Sequence, residues 1–180
     1  MAEIDCISRL ANVLRVTQPG KLAYNQEKIV TRTKGTESRS GFTTICTEIA
    51  RESRDNDLLL PKDAEMRVQV LQWLDYCALF VVPANGDKHT TTQLLKELNE
   101  YLSTKSYLVG QELTVADIAV FFAIEGIVRN LTTYDKENYV HLSRWFNHLQ
   151  QQQKIACQGQ GSPVNFATIH MLGWSKGTRL

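Results

Sequence analysis

From residue 107 the chain reads YLVGQELTVADIAVFFAI, an almost wholly apolar run opened by a threonine and carrying one aspartate. Placing Thr114 at the N-cap of a helix puts Asp117 at its third position. There the carboxylate reaches back to a backbone N–H while the threonine hydroxyl takes the N3 amide, a capping box with Asp in place of the commoner Glu. Leu113 and Ile118 then fall at N′ and N4, the two positions of a hydrophobic staple, and the negative charge meets the positive end of the helix dipole. Behind the cap, Val115, Ile118, Ala119, Val120, Phe121, Phe122, Ile124, Ile127 and Val128 surround nearly the whole helix. A helix apolar all round is buried and forms the centre of its domain. Backbone donors left free at such an end cost about 1–3 kcal/mol each. A catalytic Asp117 would need a nucleophile or a mobile proton close by, and the local sequence offers neither. The reading is structural.

The rest of the chain is organised around that helix. Ile4, Ile7, Leu10, Ala11 and Leu14 repeat at helical spacing until Pro19-Gly20 breaks the run. Two short stretches, around Lys21–Tyr24 and Lys28–Thr33, have β character. From Gly41, the residues Phe42, Ile45, Cys46, Ile49 and Ala50 mark a further helix. A polar turn closing on Pro61 precedes a long helix carrying Met66, Val70, Leu71, Leu74, Cys77, Ala78 and Val81, which Pro83 is expected to end. The stretch ANGDKHT reads as a loop. Leu94, Leu98, Tyr101 and Leu102 mark the next helix, and Leu142, Trp145, Phe146 and Leu149 the last. The expected organisation is a small α/β unit at 1–58, a linker at 59–65, an all-helical unit at 66–158 and a tail at 159–180. That tail holds Phe166, Ile169, Met171, Leu172 and Trp174, too apolar for a plain solvated end.

Charge and cysteine usage narrow the function classes. A formal net charge of +1 over 180 residues gives no overall pull toward nucleic acid or anionic membrane. Asp117 and Glu125 interrupt the apolar run, which falls short of a bilayer span. The first residues lack the pattern of a secretory signal. Cys6, Cys46, Cys77 and Cys157 form no Cys-x-x-Cys pair, which fits reduced thiols in the cytosol or nucleus.

The segment GQELTVADIAVFFAI resembles the sixth helix of the glutathione-transferase C-terminal domain, where Gly and then Ser/Thr-x-x-Asp open the central buried helix. The order of elements also matches that superfamily, over roughly residues 20–155. The fold it implies is α+β and mostly helical: a truncated thioredoxin-like N-terminal half followed by an all-α domain. The stretches GFTTICTEIA, QWLDYCALFV and VHLSRWFNHLQ further resemble the small auxiliary subunits of the multi-aminoacyl-tRNA synthetase complex. That resemblance implies a non-catalytic scaffold in translation, cytoplasmic and also nuclear, in a family associated with the response to DNA damage.

The residues themselves can be held against a working transferase, the competing reading. That family opens with a strand presenting a Tyr, Ser or Cys to the thiol. Here the first residues are already helical, with Cys6 and Ser8 inside the repeat. Its cis-proline before the third strand corresponds to Val30, and a cis non-prolyl bond costs roughly 2.5–4 kcal/mol. Its Glu/Asp-Ser pair corresponds to Gly41 and Phe42, or, with a shifted register, to the ESRS at 37–40. No cofactor is expected.

Other chemistry is weaker still. His141 and His148 share a spacing of seven but lack the further ligands that zinc needs. Cys46 and Cys77 lie on apolar faces, where cysteine acts as a small hydrophobe. Lys28, Arg32, Lys34 and Arg39 read as a solvated stretch rather than a tRNA footprint, so neither nucleic acid nor membrane is an expected partner. Trp73 and Trp145 read as core or interface.

If the chain is a scaffold, its function lies in two faces. One is built on the helix from Phe42 and the start of the long helix, with Thr43, Thr47, Arg51 and Arg54 outward and Met66 and Gln69 nearby. The resemblance implies methionyl-tRNA synthetase there. The other uses the SRWFNHLQQQQK helix, with Arg144, Asn147 and Gln151, and the ANGDKHT loop. The resemblance implies the transferase-like domain of glutamyl-prolyl-tRNA synthetase, stacked on Arg144, with other multisynthetase subunits beyond. A planar guanidinium can stack and hydrogen-bond at once. An ordinary surface arginine making local contacts is the competing account of Arg144.

Overall fold

The structure, a computed structural model, describes residues 2–54, 59–156 and 162–166. Ile169, Met171, Leu172, Trp174 and Cys157 lie outside the described residues. Helix α1 (Ala2–Val13) leads into three strands, β1 (Lys21–Tyr24), β2 (Val30–Lys34) and β3 (Glu37–Ser40), and helix α2 (Phe42–Glu52) follows. The second half begins with α3 (Ala64–Tyr76), a π turn at Cys77–Val81 and the short α4 (Val82–Ala84). Then come α5 (Lys88–Tyr101), a 3-10 turn at Leu102–Thr104, α6 (Val115–Asn130), α7 (Thr133–Asn138), α8 (Val140–Gln150) and α9 (Gln153–Ala156).

The strands form an antiparallel meander, Lys21 opposite Thr33 and Thr31 opposite Ser40. Asn25 closes the first turn, its side-chain oxygen accepting the N–H groups of Glu27 and Ile29 at 3.0 and 2.9 Å. Gly35 supplies the left-handed position of the second turn, at φ 62°. Strand β3 falls in a stretch with no strand signal, because all four of its side chains are exposed and no alternation exists to be seen.

The long helical stretch stops at Ala84, one residue past Pro83, close to the expected end. The chain reaches the proline through the π turn, Val82 N–H donating five residues back to the Cys77 carbonyl, and ends in one short helix. Proline has no N–H to place, so a register shift at this point loses no bond at its own position. Half of the expected ANGDKHT loop is helical as well: Asp87 accepts from Thr90 N at 2.7 Å and caps α5.

Both halves share one core, with α6 at its centre. Helix α1 lies on α6, its Cys6 thiol donating to the Ala119 carbonyl at 3.3 Å. Arg9 of α1 pairs with Glu125, lies 4.2 Å from the Phe122 ring centre, and so ties the halves together. Arg129 holds the other side of Glu125 at 2.9 Å. Near the chain's end the buried Gln150 amide grips the main chain of Val164 twice, its Nε2 donating to the carbonyl and its Oε1 accepting the N–H, both at 2.9 Å. Phe166 then rests on Phe146, centroids 5.9 Å apart. The described part of the apolar tail therefore packs on the chain's own core.

Candidate docking surfaces

The cap of α6 is built as a node. Thr114 and Asp117 close a capping box, with Thr114 N–H and hydroxyl both donating to Asp117 Oδ2, at 3.1 and 2.9 Å. The other oxygen, Oδ1, accepts from Leu108 N at 2.8 Å and from Trp145 Nε1 at 3.1 Å. Asp117 thus joins the preceding loop, α6 and α8. Burial pushes its carboxyl above its usual range, while the bonds from Leu108, Trp145 and Thr114 pull it back. Leu113 and Ile118 both pack into the core. Ahead of the cap, Gly110 has φ 63°, and a Cβ there would fall on the Met66 methyl.

That contact corrects the place given to Met66. It is half-buried, its methyl roofing Gly110, rather than simply presented to a partner. Thr47 is corrected too: it is buried, and its hydroxyl donates to the Thr43 carbonyl at 2.7 Å. Thr43 is half-buried, its hydroxyl donating to the Asp75 carboxylate at 2.5 Å and so fastening α2 to α3. Thr43 and Thr47 lie one turn apart on a single flank of α2, and that flank turns toward α3 at Thr43 rather than outward. Arg51 and Arg54 are exposed, and Gln69 is half-buried beside Glu65.

Arg32 needs the largest revision. It is 1% exposed, at an inward position of β2. Its guanidinium donates to the carbonyls of Gln18 and Pro19 and to the carboxylates of Glu48 and Glu52. Lys34 and Arg39 also pair with α2 carboxylates, Lys34 with Glu52 at 3.2 Å and Arg39 with Glu48 at 3.6 Å. Arg32 is therefore stitched into the structure, whereas Lys28, Lys34 and Arg39 are exposed, as a solvated stretch would be.

On α8, Leu142, Trp145, Phe146 and Leu149 are buried, while Arg144 and Gln151 are exposed and Asn147 is half-buried. Arg144 Nη2 donates to the carbonyls of Leu102 and Lys105 at 2.7 and 2.8 Å, closing the C-terminal end of α5. Its guanidinium is held by its own chain, so its orientation is set before any partner arrives. His148 meets Tyr107 OH at 2.9 Å. Among the described residues no cluster of His, Cys, Asp and Glu could hold a metal ion, and no helix is long and apolar enough to cross a membrane.

The exposed apolar residues of α3 and the π turn escaped sequence reasoning. Val68 is 53% exposed, Leu79 68% and Phe80 57%. A signal existed: all three fall off the stripe of Val70, Leu74, Cys77 and Val81 that faces the core. The thiols of Cys6, Cys46 and Cys77 are buried, and burial pushes Cys6 up to about 12 and the other two well above their ordinary value. Such thiols are poor nucleophiles. The Ser8 hydroxyl donates to the Ile4 carbonyl at 2.7 Å.

Comparison with known proteins places the chain in context. A family model described as nuclear-export cofactor Arc1p matches residues 69–153. Eukaryotic translation elongation factor 1 epsilon-1 of Homo sapiens is 34% identical over 152 residues, 83% of this chain and 86% of that protein. The bifunctional glutamate/proline–tRNA ligase of Mus musculus is 33% identical over 105 residues, 56% of this chain but 7% of the ligase. In fold, the transferase-like domain of elongation factor 1-gamma from Saccharomyces cerevisiae superposes with a TM-score of 0.67 at 13% identity, covering 92% of each chain. An epsilon-class glutathione S-transferase from Musca domestica gives 0.66 at 16% identity, covering 88% of this chain and 89% of its own. The architecture is that of the glutathione transferases.

Proposed function

The chain belongs to the eukaryotic translation elongation factor 1 epsilon-1 family, and from that membership we propose that it is a non-catalytic adaptor in translation, holding aminoacyl-tRNA synthetases together through their transferase-like domains. Methionyl-tRNA synthetase docks on the α2–α3 side, which exposes Arg51 and Arg54 on and just after α2 and Val68 on α3, with Leu79 and Phe80 exposed in the π turn beyond. The transferase-like domain of glutamyl-prolyl-tRNA synthetase docks on α8 around Arg144, Asn147 and Gln151, and other multisynthetase subunits assemble on these. The work is cytoplasmic, with a nuclear share after DNA damage.

The observation that carries this reading is the exposure of Val68 on α3 and of Leu79 and Phe80 in the π turn that continues it. Large apolar side chains gathered on a surface mark a place where another protein sits. Likeness to a segment of the glutamate/proline ligase supports a partner built on the same fold. Among the described residues the thiols of Cys6, Cys46 and Cys77 are buried and the Ser8 hydroxyl is turned onto the Ile4 carbonyl, which supports a non-catalytic role.

The test is a sizing column. Full chain mixed with the N-terminal domain of methionyl-tRNA synthetase should co-elute at micromolar concentration, and Phe80→Asp should separate the two. Separate elution of the unaltered proteins would refute the first interface. Retention on glutathione-agarose with turnover of chlorodinitrobenzene would refute the adaptor reading altogether.

A further inference from the structure

Between α3 and α5 the surface dips into a groove of about 360 Å³, walled by Gln72, Trp73, Tyr76, Glu97, Leu98 and Tyr101. Its three rings stand steeply to one another. Tyr76 and Tyr101 each meet Trp73 edge-on, with centroids 5.3 and 4.7 Å away and planes inclined at 74° and 63°. At the polar side the Glu97 carboxylate is held in place. One oxygen accepts from Tyr76 OH and the other from Gln93 Nε2, each at 3.0 Å. Both donors are neutral, so they orient the carboxylate without cancelling its charge. Burial and then Glu97 itself push the Tyr76 phenol up, which keeps it a neutral donor. None of the six wall residues is a cation.

A hollow faced by ring systems and one fixed carboxylate suits a cation that sheds water easily. The rim already shows this chemistry: Lys105 Nζ lies 4.4 Å from the centre of the Tyr101 ring and donates to its hydroxyl at 3.2 Å. Between the two cationic side chains, arginine fits the groove better. A planar guanidinium lies flat on a ring while its N–H fork reaches both carboxylate oxygens, and it is less tightly hydrated than an ammonium. Exposed Phe80 lies beside the groove, its ring centre 5.2 Å from that of Tyr76.

We propose that this groove receives an arginine side chain offered by a partner polypeptide. The proposal rests on the adaptor reading and deepens it. Val68, Leu79 and Phe80 supply apolar contact without direction, whereas a charge seated beside Glu97 fixes how the partner lies.

The experiment titrates full-length protein with acetyl-Gly-Arg-Gly-amide and with the same peptide carrying citrulline, the uncharged analogue. The readout is the Trp73 indole N–H signal in nitrogen-15 NMR. The Trp145 indole, bonded to Asp117 in the core, serves as the internal control. The arginine peptide should shift Trp73 saturably and leave Trp145 still, with the citrulline peptide roughly tenfold weaker. Glu97→Gln should weaken binding several-fold while still accepting the Tyr76 bond, and Glu97→Lys should abolish it. Equal binding of the citrulline peptide, no saturable shift, or indifference to Glu97→Lys would each overturn the proposal. No synthetase enters this assay, so its failure is distinct from failure of the sizing experiment.

Discussion

Besides the Arg9–Glu125 pair that joins them, each half of the molecule buries one further charged side chain among the described residues, and each keeps it by a different device. In the first half the charge is Arg32, satisfied by two carboxylates and two carbonyls. Those carboxylates are themselves partly wet, with Glu48 and Glu52 side chains 29% and 26% exposed. In the second half the charge is Asp117, which meets no cation and is held by four donor bonds, each from a neutral group. A charge kept by countercharges near water answers to salt, whereas one kept by fixed dipoles answers to geometry. The small sheet is therefore the half that salt can loosen.

The largest effect should come from Asp117→Ala. It strands the N–H groups of Leu108 and Thr114 and the Trp145 indole in the core, at about 1–3 kcal/mol each. A loss of roughly 3 kcal/mol or more in urea unfolding is expected. A loss below about 1 kcal/mol would mean that water or rearrangement replaces the carboxylate.

Arg32→Met comes next, at about 2 kcal/mol, reduced from the cost of breaking a fully buried pair because its carboxylate partners reach solvent. Its deficit should shrink in high salt, while the Asp117→Ala deficit stays constant; equal salt response in both would show that the two halves hold their charges alike.

The third prediction uses pH. Arg32 holds the Glu52 carboxyl below its ordinary 4.5. Its stabilisation is thus complete above that pH and is lost as pH falls through the lower folded value. Asp117 tilts the other way: a raised folded value makes its ionisation cost stability as pH climbs from 3.8. Glu52→Gln should lose under about 1 kcal/mol at neutral pH and flatten the acid limb of a stability–pH curve. An unchanged limb would show that Glu52 is not one of the groups behind it.

Phe80→Ala should have the smallest effect on folding, within about 0.5 kcal/mol, because the ring is 57% exposed. Chemical denaturation checks this, and a larger loss would make Phe80 part of the core.

What could be read from the sequence follows the same division. The capping box lies within four consecutive residues, and helix α6 is apolar around its circumference, so both are local patterns. Arg32 looked solvated because its partners Glu48 and Glu52 are 16 and 20 residues away. Glu125 read only as an interruption of an apolar run, since Arg9 is 116 residues distant. Arg144 was recognised as a candidate, but its carbonyl partners, 42 and 39 residues earlier, carry no side-chain signature at all. Thr47 failed for a simpler reason. One helix shows two polar flanks, and only tertiary packing decides which is covered.

The clasp of Gln150 on residue 164 carries a consequence for how this chain can change over time. The amide touches only peptide atoms of its target, so the identity of the clasped residue is nearly irrelevant to the two bonds. Val164 is itself buried in the core, so inherited variation there is held to apolar side chains by packing, while the two bonds exclude only proline.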